Sequence, residues 1–114
     1  DANVKLNQSQ LTQSEINLVN KSLMAFMEVE QLLNSENSIE TQLKLLNIAV
    51  SQSKAAYDLS KARYESGLID FITVLNSQNQ WFNSQSQYFS LERTKIDNRL
   101  QLILALGGSL ESLN

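Results

Sequence analysis

The chain has 114 residues, the length of one ordinary domain, and a formal charge of -3 at pH 7 from 12 acidic and 9 basic side chains; it has no histidine, cysteine or proline, and three glycines. Without cysteine there are no disulfides or thiolate metal sites, and without histidine the commonest general base and transition-metal ligand is absent, so neither an enzyme nor a cofactor or metal centre is expected. Lysines and arginines are scattered singly, which argues against nucleic acid or an anionic membrane surface as a partner, and no run approaches the roughly 18 to 20 apolar residues of a membrane-spanning helix.

The three glycines are Gly67, Gly107 and Gly108, so residues 1 to 66 and 68 to 106 contain no strong helix breaker. Ordinary helices run about 11 to 12 residues, and stretches this long point to a coiled coil, a bundle or an extended hairpin. Serine, asparagine and glutamine make up roughly a third of the chain. Serine and asparagine are mediocre helix formers, so the helices need packing, and a polar but weakly charged surface suits an element set among like neighbours or beside a water-filled passage.

Residues 1–10 carry few apolar positions and are expected to form an irregular entry segment. A long first helix is predicted over 11–66. Ile16, Val19, Leu23, Phe26, Val29 and Leu33 recur at spacings of three and four and share one face. The polar run Asn34 to Ser38 interrupts this stripe, which resumes at Ile39, Leu43, Leu46, Val50, Tyr57 and Tyr64 with its phase shifted by about one residue. With neither glycine nor proline to end it, the segment reads as one helix with a local adjustment of its supercoil.

The turn is predicted at 67–69. Gly67 can take a left-handed conformation without strain, as the position after a helix end requires. Asp70 caps the next helix, its carboxylate accepting free backbone N–H groups at the positive end of the helix dipole. That second helix is predicted over 70–106. Leu68, Leu75, Phe82, Phe89, Ile96 and Ile103 recur at unbroken intervals of seven, with Val74, Trp81, Tyr88 and Leu102 at the adjacent position; seven is the left-handed supercoil period. Leu75, Trp81, Phe82, Tyr88, Phe89, Ile96 and Ile103 are accordingly expected to pack between helices, in the core or against a neighbouring hairpin, and the Leu75, Phe82 and Phe89 face is expected to carry self-association of the isolated chain. Gly107-Gly108 should stop the helix and leave 107–114 irregular.

The fold class is therefore all-α, a long antiparallel two-helix coiled-coil hairpin with helices of roughly 80 and 57 Å. Roughly 25 Å of the first helix would lack a partner within the chain, so something outside it should cover Ile16 to Phe26. Two helices cannot enclose all of this apolar surface, and a homo-oligomer or a larger parent structure is implied. No constellation suggests chemistry. Glu28 and Glu30 point to different sides of a helix, and Glu36 and Glu40 share a face without a third ligand. Met24 and Met27, beside Phe26, read as packing.

The run from Ala62 through Tyr64-Glu65-Ser66-Gly67-Leu68-Ile69-Asp70 to Gln78 resembles the second hairpin turn of the outer membrane factors, the TolC-like channels of tripartite efflux and type I secretion systems, in the branch serving resistance-nodulation-division multidrug pumps. Phe26-Met27-Glu28-Val29-Glu30-Gln31-Leu32-Leu33 and Leu102-Ile103-Leu104-Ala105-Leu106-Gly107-Gly108 resemble two further family segments, and the three are correctly spaced over about 85 residues. The resemblance implies part of a periplasmic α-barrel in a homotrimeric channel of a Gram-negative outer membrane, exporting drugs or other compounds with a periplasmic adaptor (membrane fusion) protein and an inner-membrane pump as partners. It implies that Gly67 and Leu68, flanked by Ser66 and Ile69, match the tip on which the adaptor docks, and that Tyr64 matches a tyrosine that helps close the periplasmic entrance. Thr73 and Asn76 stand where family members carry acidic residues, so an acidic gate is not expected. The chain covers about a quarter of a family member, without the β-barrel strands or the first hairpin. The alternative is a stand-alone, self-associating hairpin, of the adaptor type or in a four-helix-bundle dimer, that serves as a structural or interaction module.

Overall fold

The computed structural model describes residues 1–113. It contains two helices, α1 (Ala2–Glu65) and α2 (Phe71–Leu113), joined by a five-residue turn, with no strand among the described residues. The contacts divide into two compact units, one comprising Glu36–Asp97 and the other Asp1–Ser35 with the residues from Asn98 onward. The first contains the hairpin turn.

In the turn-bearing unit the helices run antiparallel and meet along one seam. Ile39 of α1 and Val74 of α2 are its buried apolar residues. Between them Leu43, Leu46, Val50 and Tyr57 are half-buried against Trp81, Tyr88 and Leu91. Tyr57 stacks on Trp81, with ring centroids 5.4 Å apart and 21° between planes, an offset arrangement that contributes beyond simple burial. The seam is also partly polar. The hydroxyls of Ser60 and Ser77 lie 2.9 Å apart, and Lys95 Nζ donates to Glu40 Oε1 at 2.7 Å. In the other unit the seam consists of Ala25, Val29 and Leu32 facing Asn98, Leu102 and Ala105. Asn98 Nδ2 donates to the Leu32 carbonyl at 3.0 Å, fixing the pairing at that point. From Asp1 to Lys21 every residue is exposed.

All four helix boundaries differ from the sequence expectation, α1 ending at Glu65 rather than at 66. Residues 2–10 are helical rather than an irregular entry segment: the Asp1 carboxylate accepts from the Asn3 N–H at 3.4 Å and the Asp1 carbonyl from the Lys5 N–H at 3.2 Å, and nothing downstream breaks the ladder. Scarcity of apolar residues removes a reason to pack, which is different from a reason to unwind. The second helix begins at Phe71, with Asp70 as its cap, and continues through Gly107-Gly108 to Leu113 rather than stopping at 106. Glycine costs a helix roughly 1 kcal/mol per residue, which long flanking turns can absorb. Asn114, the last residue of the expected irregular segment, lies outside the described residues.

The glycines therefore have opposite roles. Gly67 has φ 76°, whereas a Cβ at Gly107 or Gly108 would meet open space in a helix. Gly67→Ala should lower stability by roughly 1 kcal/mol or more, while Gly107→Ala should raise it by about 0.5 to 1 kcal/mol. Thermal unfolding followed by far-ultraviolet circular dichroism checks both, and equal effects at the two sites would contradict this assignment.

Candidate functional site

The turn is built from backbone hydrogen bonds that only a left-handed residue permits. Leu68 N–H donates to the Arg63 carbonyl at 2.8 Å and Gly67 N–H to the Tyr64 carbonyl at 2.9 Å. These are the paired six-to-one and five-to-two bonds of a Schellman ending, with Gly67 in the position that needs positive φ. The reversal carries Leu68 outward. It is 73% exposed, more than any other large apolar side chain among the described residues. Ser66 is exposed and Ile69 half-buried beside it, so all four tip residues share one short surface.

Both flanks of the tip are braced. Asp70 Oδ1 accepts from the Thr73 backbone N–H at 3.1 Å and from the Thr73 hydroxyl at 2.6 Å. The Thr73 hydroxyl first, and its N–H second, hold the Asp70 carboxyl below its ordinary value of 3.8. Thr73 is thus engaged in capping and supplies no negative charge. Across the turn Tyr64 and Phe71 approach to 5.4 Å between ring centroids at 54°, joining the end of α1 to the start of α2.

Below the tip, the structure separates the residues expected to pack between helices. Trp81 and Tyr88 lie in the seam on the line of Val74, which is only 6% exposed. Leu75, Phe82, Phe89, Ile96 and Ile103 do not pack between α1 and α2: Phe89 is 62% and Ile96 68% exposed, and the others are also exposed. The two lines stand one residue apart, which on a helix is roughly 100°, and the outer one remains available to a neighbouring hairpin. Both lines repeat every seven residues, so periodicity could not rank them, and the continuous apolar line proved to be the outer one.

A second outward line was missed in the sequence. Leu45, Ile48 and Leu59 of α1 are exposed, and Ile48, two residues after half-buried Leu46, lies roughly 200° around the helix from it. The available signal was a second set of apolar positions at heptad-compatible spacing, Leu45 to Leu59 and Ile48 to Ala55. In the turn-bearing unit each helix therefore has an apolar line in the seam and another outside it. Among the described residues no group of three or more His, Cys, Asp or Glu could hold a metal ion. No helix among the described residues is long and apolar enough to cross a membrane.

Comparison with known proteins agrees with the hairpin geometry. Residues 1–108 match the family model described as outer membrane efflux protein. The chain is 31% identical over 90 residues to the pyoverdine export outer membrane protein OpmQ of Pseudomonas putida, covering 79% of this chain and 19% of that protein. It is 33% identical over 84 residues to the solvent efflux pump outer membrane protein SrpC of Pseudomonas putida, covering 74% and 18%. To the cation efflux system protein CusC of Escherichia coli it is 24% identical over 107 residues, covering 94% and 23%. The chain thus spans about a fifth of the length of these relatives. No solved structure matches it.

The tip cap has a pH signature. Because the folded state depresses the Asp70 pKa, its contribution is complete above the ordinary value of 3.8 and is lost as pH falls through the lower folded-state value. Asp70→Ala should lower stability at neutral pH and flatten the acid limb of the stability profile. Helicity titrated between neutral pH and strong acid tests this, and an unchanged acid limb in Asp70→Ala would refute the capping role.

Proposed function

The chain belongs to the outer membrane efflux protein family, and on that premise we propose that it forms one helical hairpin of the periplasmic α-barrel of a homotrimeric efflux channel, with the turn as docking point for a periplasmic adaptor protein. It acts as part of a conduit and not as an enzyme. An inner-membrane pump supplies the driving force. The segment stands in the periplasm of a Gram-negative bacterium, below the portion of the channel that crosses the outer membrane.

The observation that carries this reading is Leu68. A large apolar side chain at the apex of a hairpin contributes nothing to the hairpin's own stability, and burying it against a partner yields roughly 1.5 to 3 kcal/mol. Ser66, Gly67 and Ile69 present it with exposed backbone on either side, a surface small enough to meet another hairpin end to end. Tyr64, ringed against Phe71 just below, is placed to close the passage by contact with neighbouring hairpins.

The outer apolar lines support the barrel role. In a sheet of helices rolled into a wall, each helix needs two apolar interfaces, one for each neighbour. Leu75, Phe82 and Phe89 on α2, and Leu45, Ile48 and Leu59 on α1, supply the second interface to each helix of the hairpin. The relatives' names refer to pyoverdine, solvent and cation export. Cargoes so different in charge and size fit a passage that conducts what the pump delivers, and this chain is assigned that same undiscriminating role.

Two outcomes are expected. Leu68→Cys in the full-length channel should form a disulfide or short-linker crosslink with a cysteine at the adaptor's hairpin tip; normal assembly without the crosslink, while a control pair within the adaptor links, would rule out tip docking. The isolated chain should self-associate in sedimentation experiments. Phe82→Gln combined with Phe89→Gln should weaken that association by about tenfold or more, since each ring is worth roughly 1.5 to 3 kcal/mol when buried. A monomer that remains helical at high concentration would refute the outer line as an interface.

A further inference from the structure

The outer apolar line of α2 is one half of a wider stripe. In the turn-bearing unit Leu75, Phe82, Phe89 and Ile96 alternate with Asn79, Ser86 and Arg93 at spacings of four and three residues. That spacing keeps two rows of side chains facing one neighbouring helix in a left-handed supercoil. All of these residues are exposed, so α2 carries a second pairing stripe besides its seam with α1.

One row of the stripe is apolar and the other polar. Asn79 and Ser86 are neutral, and each can both donate and accept, so many neighbours would satisfy them. Arg93 is more demanding. It makes no ion pair among the described residues, with Asp97 four residues further along the same helix included. It also stands between Phe89 and Ile96 in the stripe, so a helix that covers those two side chains takes the guanidinium out of water with them. An unpaired charge is among the most costly groups to bury, and the planar fork of a guanidinium is matched by a carboxylate.

A second copy of the hairpin does not supply that carboxylate. Within the hairpin Ser60 meets Ser77 and Glu40 meets Lys95, which sets residue 93 level with Gln42 to Leu45 of α1. A copy standing alongside with its tip at the same height would therefore offer Arg93 the like charge of Lys44, while the carboxylate of Glu40 is held by Lys95. The chain spans about a fifth of the length of its relatives, so a parent of that size has other segments to supply a helix.

Resting on the conduit reading above, we infer that the helix covering the outer line of α2 comes from a different segment of the channel and sets an aspartate or glutamate against Arg93, roughly 33 Å along α2 from Phe71. Arg93 then selects the neighbour. It accepts a helix with a carboxylate at that level and disfavours this chain's own α1, as a polar residue in a helix-pairing stripe does by penalising the wrong partner. The isolated chain is not bound by the match, because free hairpins can associate in a register that leaves Arg93 in water.

The test is zero-length carbodiimide coupling in the full-length channel carrying Arg93→Lys, followed by proteolysis and mass spectrometry. A carbodiimide joins an amine only to a carboxylate in contact with it, and Lys95 with Glu40, 2.7 Å apart, is the internal control. The amine at position 93 should couple to an aspartate or glutamate outside residues 1–114. Coupling to a second copy of residues 1–114, coupling to Asp97 alone, or no coupling while Lys95 and Glu40 link, would overturn the inference. As a second readout, Arg93→Glu should lower the temperature at which detergent-solubilised trimers dissociate, and replacing the coupled carboxylate with arginine should restore it; a loss that this exchange leaves unrestored would also overturn it. If the full-length protein assembles no trimer while Lys95 and Glu40 still link, the conduit reading itself fails and this inference falls with it, whereas a trimer in which position 93 couples to a copy removes this inference alone.

Discussion

Two helices touch along a line, and everything else in this hairpin follows from how little a line can hide. Among the described residues, the buried apolar ones are Ile39 and Val74 in the turn-bearing unit and Leu102 in the other. The remaining apolar side chains are half-buried or lie outside the seam. The outer lines leave apolar surface in water, and each Å² of it that a neighbour covered would contribute about 25 cal/mol.

The seam itself is specified by polar contacts as much as by apolar ones. Ser60 with Ser77, Asn98 with the Leu32 carbonyl, and Lys95 with Glu40 join particular residues across the helices. Such contacts contribute modestly in net stability, roughly 0.5 to 1.5 kcal/mol each and less where exposed, yet a shift of the helices by one turn would break them. Trp81 shows the cost of the arrangement: its ring is held against Tyr57 and its Nε1 is enclosed without a hydrogen-bond partner among the described residues. An indole in that position favours packing area over polar satisfaction.

At the tip the logic reverses. The Schellman bonds end α1 and the Asp70 cap starts α2, so polar and backbone contacts define the reversal. Leu68 is left free because nothing in the turn needs it.

Much of this was determined by the sequence alone. Gly67 flanked by two long breaker-free stretches dictated a hairpin, because only glycine accepts the left-handed conformation cheaply, and Asp70 announced the second start through its capping carboxylate. The three family segments indicated the kind of parent. Tertiary structure alone decided which of two adjacent heptad lines became the seam. Val74, Trp81, Tyr88, Lys95 and Leu102 make the less hydrophobic line, with a lysine in it, and Leu75, Phe82, Phe89, Ile96 and Ile103 the more hydrophobic one, at the same seven-residue period. Helical period reports that a face is apolar but not what covers it, and where two faces are apolar the choice rests on what α1 offers opposite: Tyr57 for Trp81, Ser60 for Ser77, Glu40 for Lys95. The same limit explains the helix ends, since Asp1 could cap residues with few apolar neighbours and the ladder could pass Gly107-Gly108 once packed turns preceded them.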